Sequence, residues 1–239
     1  MRSLKNVLDP STRPKRSAND TRERILQVAI AEFANKGLDG SRVDEISHAA
    51  GINKYMLYHY FGSKEGLFLA VLERTYENIR KRQDALTLSG LPAQEAMERL
   101  IAVTFDHFVD TPEVISLLNT ENLHKARHIS NSSKIRTMYI PLVDTIGTIL
   151  RQGEREGVFH QGVDPIELYI SISGLGYFYL SNRWTLATIF GTELEGEERL
   201  ARRRRHVIDV IMTFLCGQRY EASSRSSSAT NRRAAGGRR

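Results

Sequence analysis

Apolar residues recur three and four positions apart through almost the whole chain, and this spacing limits what it can fold into. Ile25, Ala29 and Phe33 share one helical face with Leu26 and Ile30 beside them, and Val43, Ile46 and Ala50 share another. No convincing run of alternating β-branched residues marks a half-buried strand, and no repeat of fixed period is present. The expected fold class is all-α, with about nine helices and a helical share well above the ordinary.

The punctuation agrees with the period. Asp20 opens the first helix with Glu23 three residues on, and Gly37 stops it. Ser41 caps a second helix that ends at Gly51. Asn53 caps a short third helix over 54–60, and Ser63 a long fourth over 64–88. Further helices are expected over 92–109, from Thr111-Pro112 onward, and over 132–156, 165–182 and 195–216. Proline suits a first helical turn, so Asp164-Pro165-Ile166-Glu167 is a strong start. Inside 132–156, Pro141 should kink or split the helix.

With 239 residues, 41% hydrophobic and 26% charged, the chain can build one large domain or two small ones without disulfides or metal. Its lone Cys216 excludes an internal disulfide framework and a multi-thiolate zinc site. No apolar stretch approaches the ~18 residues of a membrane span, and no apolar signal segment opens the chain, so no membrane partner is expected and the expected location is the cytoplasm. The net charge of +6 is unevenly placed: residues 1–19 carry five Lys/Arg against one Asp, and residues 217–239 six Arg against one Glu. The stretch between them is net acidic, so the basic balance cannot by itself argue for nucleic acid. Both tails are too polar to order themselves, and 1–18 and 218–239 read as disordered.

A local pattern makes the argument that net charge cannot. Ala50-Gly51-Ile52-Asn53 joins two short helices in the manner of a helix-turn-helix: Gly51 permits the tight turn and Ile52 pins it to the core. The second helix would then lie in the DNA major groove. It reads Lys54-Tyr55-Met56-Leu57-Tyr58-His59-Tyr60-Phe61. Leu57 and Phe61, one turn apart, belong to the core, while Tyr55, Tyr58, His59 and Tyr60 cannot all turn inward on so short a helix. From residue 51 to 64 there are two lysines and no carboxylate, which suits a polyanion. A buried aromatic helix is the alternative that the pattern alone leaves open.

Residues 21–70 resemble the DNA-binding domain of the TetR family of transcriptional regulators. The resemblance rests on Phe33-Ala34-Asn35-Lys36-Gly37, Ser41-Arg42-Val43-Asp44-Glu45-Ile46, Ala50-Gly51-Ile52-Asn53-Lys54 and Leu57-Tyr58-His59-Tyr60-Phe61-Gly62-Ser63-Lys64 with the Glu65-Gly66-Leu67-Phe68 that follows. Tyr55 and Met56 depart from it, standing where small residues are common. The resemblance implies a DNA-binding domain over 19–66 and an effector-binding and dimerisation domain over 67–217. It also implies a homodimer that reads a near-palindromic operator in double-stranded DNA and answers to a small-molecule effector, most simply as a repressor. By position in the motif, Lys54, Tyr55 and Met56 approach bases, and Arg42, Tyr58, His59 and Lys64 touch phosphates. Further on, residues 119–129 and Tyr177-Phe178-Tyr179-Leu180-Ser181-Asn182 resemble the subgroup of pyrimidine-utilisation repressors, which implies a sensor without naming its ligand.

Concave sites in helical proteins form between packed helices, and polar residues on apolar faces are the candidates. Glu121, Asn122, His124 and Arg127 make one cluster, and Phe105, Phe108, Tyr139, Tyr169, Ser173 and Tyr177 are candidate walls. His124 and His128 lie four apart but lack a third ligand, so no metal and no cofactor is expected. Gly174 and Gly176 thin one helix for close approach to a partner helix or a ligand. The helix over 165–182 and the last helix, with the stripe Ile208, Ile211, Met212 and Leu215, read as the dimer surface, and Arg202 to Arg205 as mostly solvated. An enzyme is disfavoured: there is no Gly-rich phosphate loop, nucleophile elbow or metal-ligand set. A constitutive DNA-binder with a fully packed C-terminal core remains the other class.

Overall fold

A computed structural model describes residues 18–217, and the readings of the two tails fall outside this range except at residue 18, which is helical. Ten α-helices follow one another: α1 (Ala18–Gly40), α2 (Val43–Ala49), α3 (Lys54–Phe61), α4 (Lys64–Asp84), α5 (Ala93–Asp110), α6 (Glu113–Leu123), α7 (Ser133–Arg155), α8 (Pro165–Ser181), α9 (Arg183–Phe190) and α10 (Glu197–Cys216). The fold is all-α, and no strand occurs among the described residues.

Two hydrophobic cores divide the molecule. The first gathers Ile25, Leu26 and Phe33 of α1, Ile46 of α2, Leu57 of α3 and Leu67, Phe68 and Leu72 of α4. Phe33 and Phe68 meet edge to face at its centre, with ring centroids 5.2 Å apart. The second runs from Ile79 of α4 through α5, α7 and α8 to Leu215 of α10. Helix α4 thus serves both cores, and Leu117 of α6 is buried in the first although its helix neighbours Val114 and Ile115 belong to the second.

Asn53, Ser63 and Asp164 cap their helices as the sequence suggests, and Ser132 caps α7, each accepting from backbone N–H groups of the first turn. Ser41 does not cap α2. Arg42 occupies the cap position, and the Ser41 hydroxyl turns back to the carbonyl of Gly37 at 2.6 Å, where left-handed backbone (φ 67°) breaks the regular part of α1. Helix α4 stops at Asp84 rather than near 88, and Leu86 and Leu88 reach the second core from non-helical backbone. Pro141 leaves α7 unbroken: it is exposed, as is Thr137, whose carbonyl loses its helical donor where water can replace it.

Helix α9 was not expected. Leu186 and Ala187 pack half-buried on the second core, but none of its residues is fully buried, so the stripe that would announce it is short. The stripe assigned to a dimer surface on α10 is also corrected. Ile211 and Leu215 are buried in the second core with Val207, and the exposed apolar face of α10 carries Val210 and Phe214 instead. The arginine run is not simply solvated: Arg204 forms a two-pronged ion pair with Asp106 of α5, and Arg203 donates to the Leu175 carbonyl and lies over the Tyr179 ring.

Candidate DNA interface and sensor pocket

The short α3 is held from two sides. Asn53 Oδ1 accepts from the backbone N–H of Met56 at 2.8 Å, and Leu57 is fully buried. The opposite face is left to solvent: Tyr55 is 77% exposed, Tyr58 and His59 are exposed, and the Tyr55 and His59 rings stack with centroids 6.4 Å apart. Lys54 is exposed, whereas Met56 and Tyr60 are half-buried. Arg42 is exposed at the start of α2. Lys64, half-buried, donates to the backbone carbonyl of Asp39 at 3.2 Å.

The interface is not free of carboxylate, although the stretch 51–64 is. Asp44 on α2 lies 2.9 Å from the Lys54 ammonium and, as its hydrogen-bond partner, holds it above the ordinary lysine value. Spatial adjacency of α2 and α3 brings in an acid that reading α3 alone could not show.

The expected cluster at the end of α6 divides. Glu121 is buried and fully engaged: one carboxylate oxygen accepts from the backbone N–H groups of His128 and Ile129 at 2.8 and 3.0 Å, and the other lies 2.7 Å from His128 Nδ1. This clamp closes the 124–129 turn, where Lys125 and Ala126 both take left-handed backbone (φ 55° and 59°), a conformation that costs about 1–3 kcal/mol per residue. The His128 ring then stands edge-on to Phe68, with centroids 5.1 Å apart. His124 Nδ1 donates to the Thr120 carbonyl at 2.9 Å, and its Nε2 lies 3.9 Å from Asp39. Asn122 and Arg127 face solvent. Among the described residues no group of three or more His, Cys, Asp or Glu side chains is placed to hold a metal ion.

The candidate walls come together more closely. Tyr139 of α7 meets Tyr76 of α4 and Tyr169 of α8 edge to face, at 5.6 and 5.8 Å, and Phe108 of α5 meets Tyr177 of α8 at 5.9 Å. Burial pushes the Tyr76 hydroxyl up to about 12, with Tyr169, Glu121 and Tyr177 adding to it; burial, then Tyr169, raises Tyr139 well above the usual value. The Ser173 hydroxyl is buried there without a partner, and the Tyr177 hydroxyl donates to Asn119. Phe105 lies in the core behind, close against Gly176.

Sequence reading missed Tyr76 and Arg80. Arg80 is 5% exposed, with its guanidinium 2.7 Å from Gln83 and 2.8 Å from Asp84. The signal is in the sequence: positions 76, 80 and 83 lie on one inward face of α4.

Residues 25–71 match the family of bacterial regulatory proteins named for TetR, and residues 94–211 match a family described as the tetracyclin repressor-like C-terminal domain. The chain is 35% identical over 184 residues to the HTH-type transcriptional repressor NicS of Pseudomonas putida, covering 77% of this chain and 87% of that protein. The chain belongs to the TetR family of transcriptional regulators.

A second repressor, KstR2 of Rhodococcus jostii, is 26% identical over 60% of this chain and 70% of its own. Two solved structures share the TetR-family fold. The ketosteroid regulator KstR2 of Mycobacterium tuberculosis has a TM-score of 0.61, 21% identity and coverage of 84% and 98% of the two chains. FadR of Bacillus subtilis, solved with stearoyl-CoA, has a TM-score of 0.61, 17% identity and coverage of 81% and 98%. This TetR-family chain is therefore a DNA-binding transcriptional regulator and not an enzyme. These relatives do not establish the pyrimidine-utilisation subgroup. Among the described residues of this TetR-family member no helix is long and apolar enough to cross a membrane.

One more surface belongs to this description. Ile166, Ile170 and Phe178 of α8 are exposed along one face, and Gly174, on the same four-residue spacing, has open space where a side chain would stand. Val210 and Phe214 of α10, and Trp184, Ile189 and Phe190 of α9, are exposed as well.

Proposed function

We propose that this TetR-family regulator works as a homodimer that binds a near-palindromic operator and leaves it when a small molecule enters the C-terminal domain. The observation that supports this most is the division of α3: Leu57 anchors it, while Lys54, Tyr55, Tyr58 and His59 are turned to solvent as a reading face. In this reading Lys54, Tyr55 and Met56 meet bases, and Arg42, Tyr58, His59 and Lys64 meet phosphates, which position without specifying. Residues 19–66 form the DNA-binding unit and 67–217 the sensing and dimerising unit, with the first turns of α4 packed into the former core. The protein acts in the cytoplasm, with its DNA.

The dimer forms through α8 and α10, because Ile166, Ile170, Phe178, Val210 and Phe214 make an apolar face that a monomer leaves in water. Open space at Gly174 lets two copies of α8 approach closely. The effector sits among Tyr76, Tyr139, Tyr169, Ser173 and Tyr177, with Phe105 and Phe108 behind, and is a compact polar ring held by hydroxyls and edge-on aromatic contact. Glu121 serves this pocket through the Tyr76 hydroxyl, and Asn122, His124 and Arg127 form its outer rim. Occupancy moves α4, and Glu121 and His128 carry the shift to Phe68 in the DNA-binding core.

Selection of bound duplexes from a random pool tests the reading. Recovery of a near-palindrome whose half-sites are centred about one helical turn apart, ~34 Å, supports it. Enrichment of a single asymmetric half-site, or of no sequence, overturns it.

A further inference from the structure

A cavity of about 320 Å³ lies apart from the tyrosines, at the junction of the two cores. Gln27 and Ile30 of α1, Asn78 of α4, His107 of α5, and Glu113 and Leu117 of α6 stand on its wall. It is therefore built from both functional units, and its volume is at the lower end of ligand pockets, roughly 300 Å³ and above.

His107 is the unusual member. It is 2% exposed, and burial, with Arg82 adding to it, drives its pKa down to about 4, so the ring is neutral near pH 7. A neutral imidazole has one N–H to give and one lone pair to fill. The polar atom that meets the ring is Thr111 Oγ1, 3.4 Å from Nδ1 and 3.3 Å from Nε2. An atom so nearly equidistant from both nitrogens lies near the plane that bisects them, away from the in-plane direction of either. The Thr111 hydroxyl hydrogen is itself given to the His107 carbonyl, at 2.5 Å. Thr111 Oγ1 is thus a long and poorly aligned partner for the ring, a weak arrangement for a buried group.

We propose that this junction cavity is a second small-molecule site, separate from the effector pocket, and that it takes a compact neutral molecule carrying an amide-type donor–acceptor pair. The chemistry of the wall selects that class. His107 and the carboxamides of Gln27 and Asn78 each offer a donor and an acceptor, which a lactam or primary amide returns in kind. Ile30 and Leu117 accept its apolar body. An anion is disfavoured by Glu113 at the rim, and the nearby cation Arg82 is already paired with Asp110 at 2.7 Å. Because α1 belongs to the DNA-binding unit and α5 and α6 to the sensing unit, an occupant bridges them and shifts operator affinity by its differential affinity for the two arrangements.

Full-length protein with isotope-labelled histidine, titrated with 2-piperidone and separately with cyclohexanecarboxylate, tests this by NMR. His107 is assigned by its loss in His107→Gln. The lactam should shift the His107 ring resonances saturably, in the millimolar range expected of so small a probe, and the carboxylate should not. Asn78→Leu and Gln27→Met alter exposed positions at the mouth of the cavity, and each should weaken the lactam by about fivefold. Ser173→Ala, in the effector pocket, should titrate like the wild type. Absence of a saturable shift, an equal response to the carboxylate, or full lactam affinity in both wall variants overturns the second site. A response that disappears in Ser173→Ala while His107 stays silent assigns the lactam to the effector pocket instead and leaves that reading standing.

Discussion

The Lys54 ammonium and the Asp44 carboxylate lie 2.9 Å apart across the turn between α2 and α3, so the lysine proposed to meet DNA is already paired with an acid of its own chain. DNA must replace that partner, and the carboxylate left behind faces the phosphates. Asp44→Asn should therefore tighten binding to random duplex more than to operator, narrowing the ratio between them. The slope of log affinity against log salt should steepen by about one unit, as if one more lysine were free to neutralise a phosphate. Titrations at several salt concentrations decide it, and an unchanged specificity ratio refutes it.

Lys64 and Tyr55 should separate in kind. Lys64→Ala should weaken specific and random DNA alike and reduce the salt slope by about one unit, since a phosphate contact carries no sequence information. Tyr55→Ala should change which base is preferred beneath α3. The same duplex panel, run with both variants, reads the difference.

Ser173→Ala should raise thermal stability or leave it unchanged, because the hydroxyl it removes is buried and has no partner. The same change should weaken the effector by about 1–3 kcal/mol if that hydroxyl meets the ligand. Calorimetry together with effector-driven release from operator tests both halves. A variant less stable than the wild type contradicts the burial argument, and unaltered release moves the effector contact elsewhere.

Glu121→Gln should act mainly on stability. Two backbone N–H groups and a ring nitrogen depend on its carboxylate, and leaving buried donors poorly served costs roughly 1–3 kcal/mol each. Exposed Asn122→Ala should stay within about 0.5 kcal/mol of the wild type. Chemical denaturation ranks the two; equal stabilities would show that the clamp is dispensable.

Stability should also fall in mild acid through His107. Its folded pKa of about 4 lies below the unfolded value of ~6.5, so between these limits the unfolded chain binds more protons and stability rises with pH. The contribution is complete above the unfolded value and is lost as the pH falls toward 4. Between pH 7.5 and 5 this one group removes about 2 kcal/mol. In His107→Gln that part of the loss should vanish, which denaturant titrations at the two pH values will show.

The sequence carried the N-terminal unit almost whole, because its signals are local. Asn53 and Ser63 cap helices within three residues of themselves, and Leu57 is fixed as core by its neighbours on one short helix. What escaped depends on elements far apart in the chain. Asp44 reaches Lys54 only when α2 and α3 are set side by side, and His107 shares a cavity with Gln27 only across two units. Ile211 and Leu215 were read as a dimer face because an apolar stripe does not state which surface it covers. Arg80 and Tyr76 were passed over because a long helix between units looks like a connector until its neighbours are known. Glu121 reads from the sequence as a ligand contact, whereas its hydrogen bonds in the fold tie the turn at His128 and Ile129.

Leu117 has a consequence for anyone who would exchange reading heads between regulators. It is wholly buried, yet its companions in the first core, from Ile25 to Leu72, come from the N-terminal part of the chain, before α5. Ile129 leans on the same core. A chimera joined within α4 would place a foreign leucine, or none, into the socket left among α1 and α4, and the graft would be loose at the joint through which the signal must pass. Modularity here follows contacts and not the order of residues, so a transplanted head must bring its own matching stretch of α6 and of the turn beyond it.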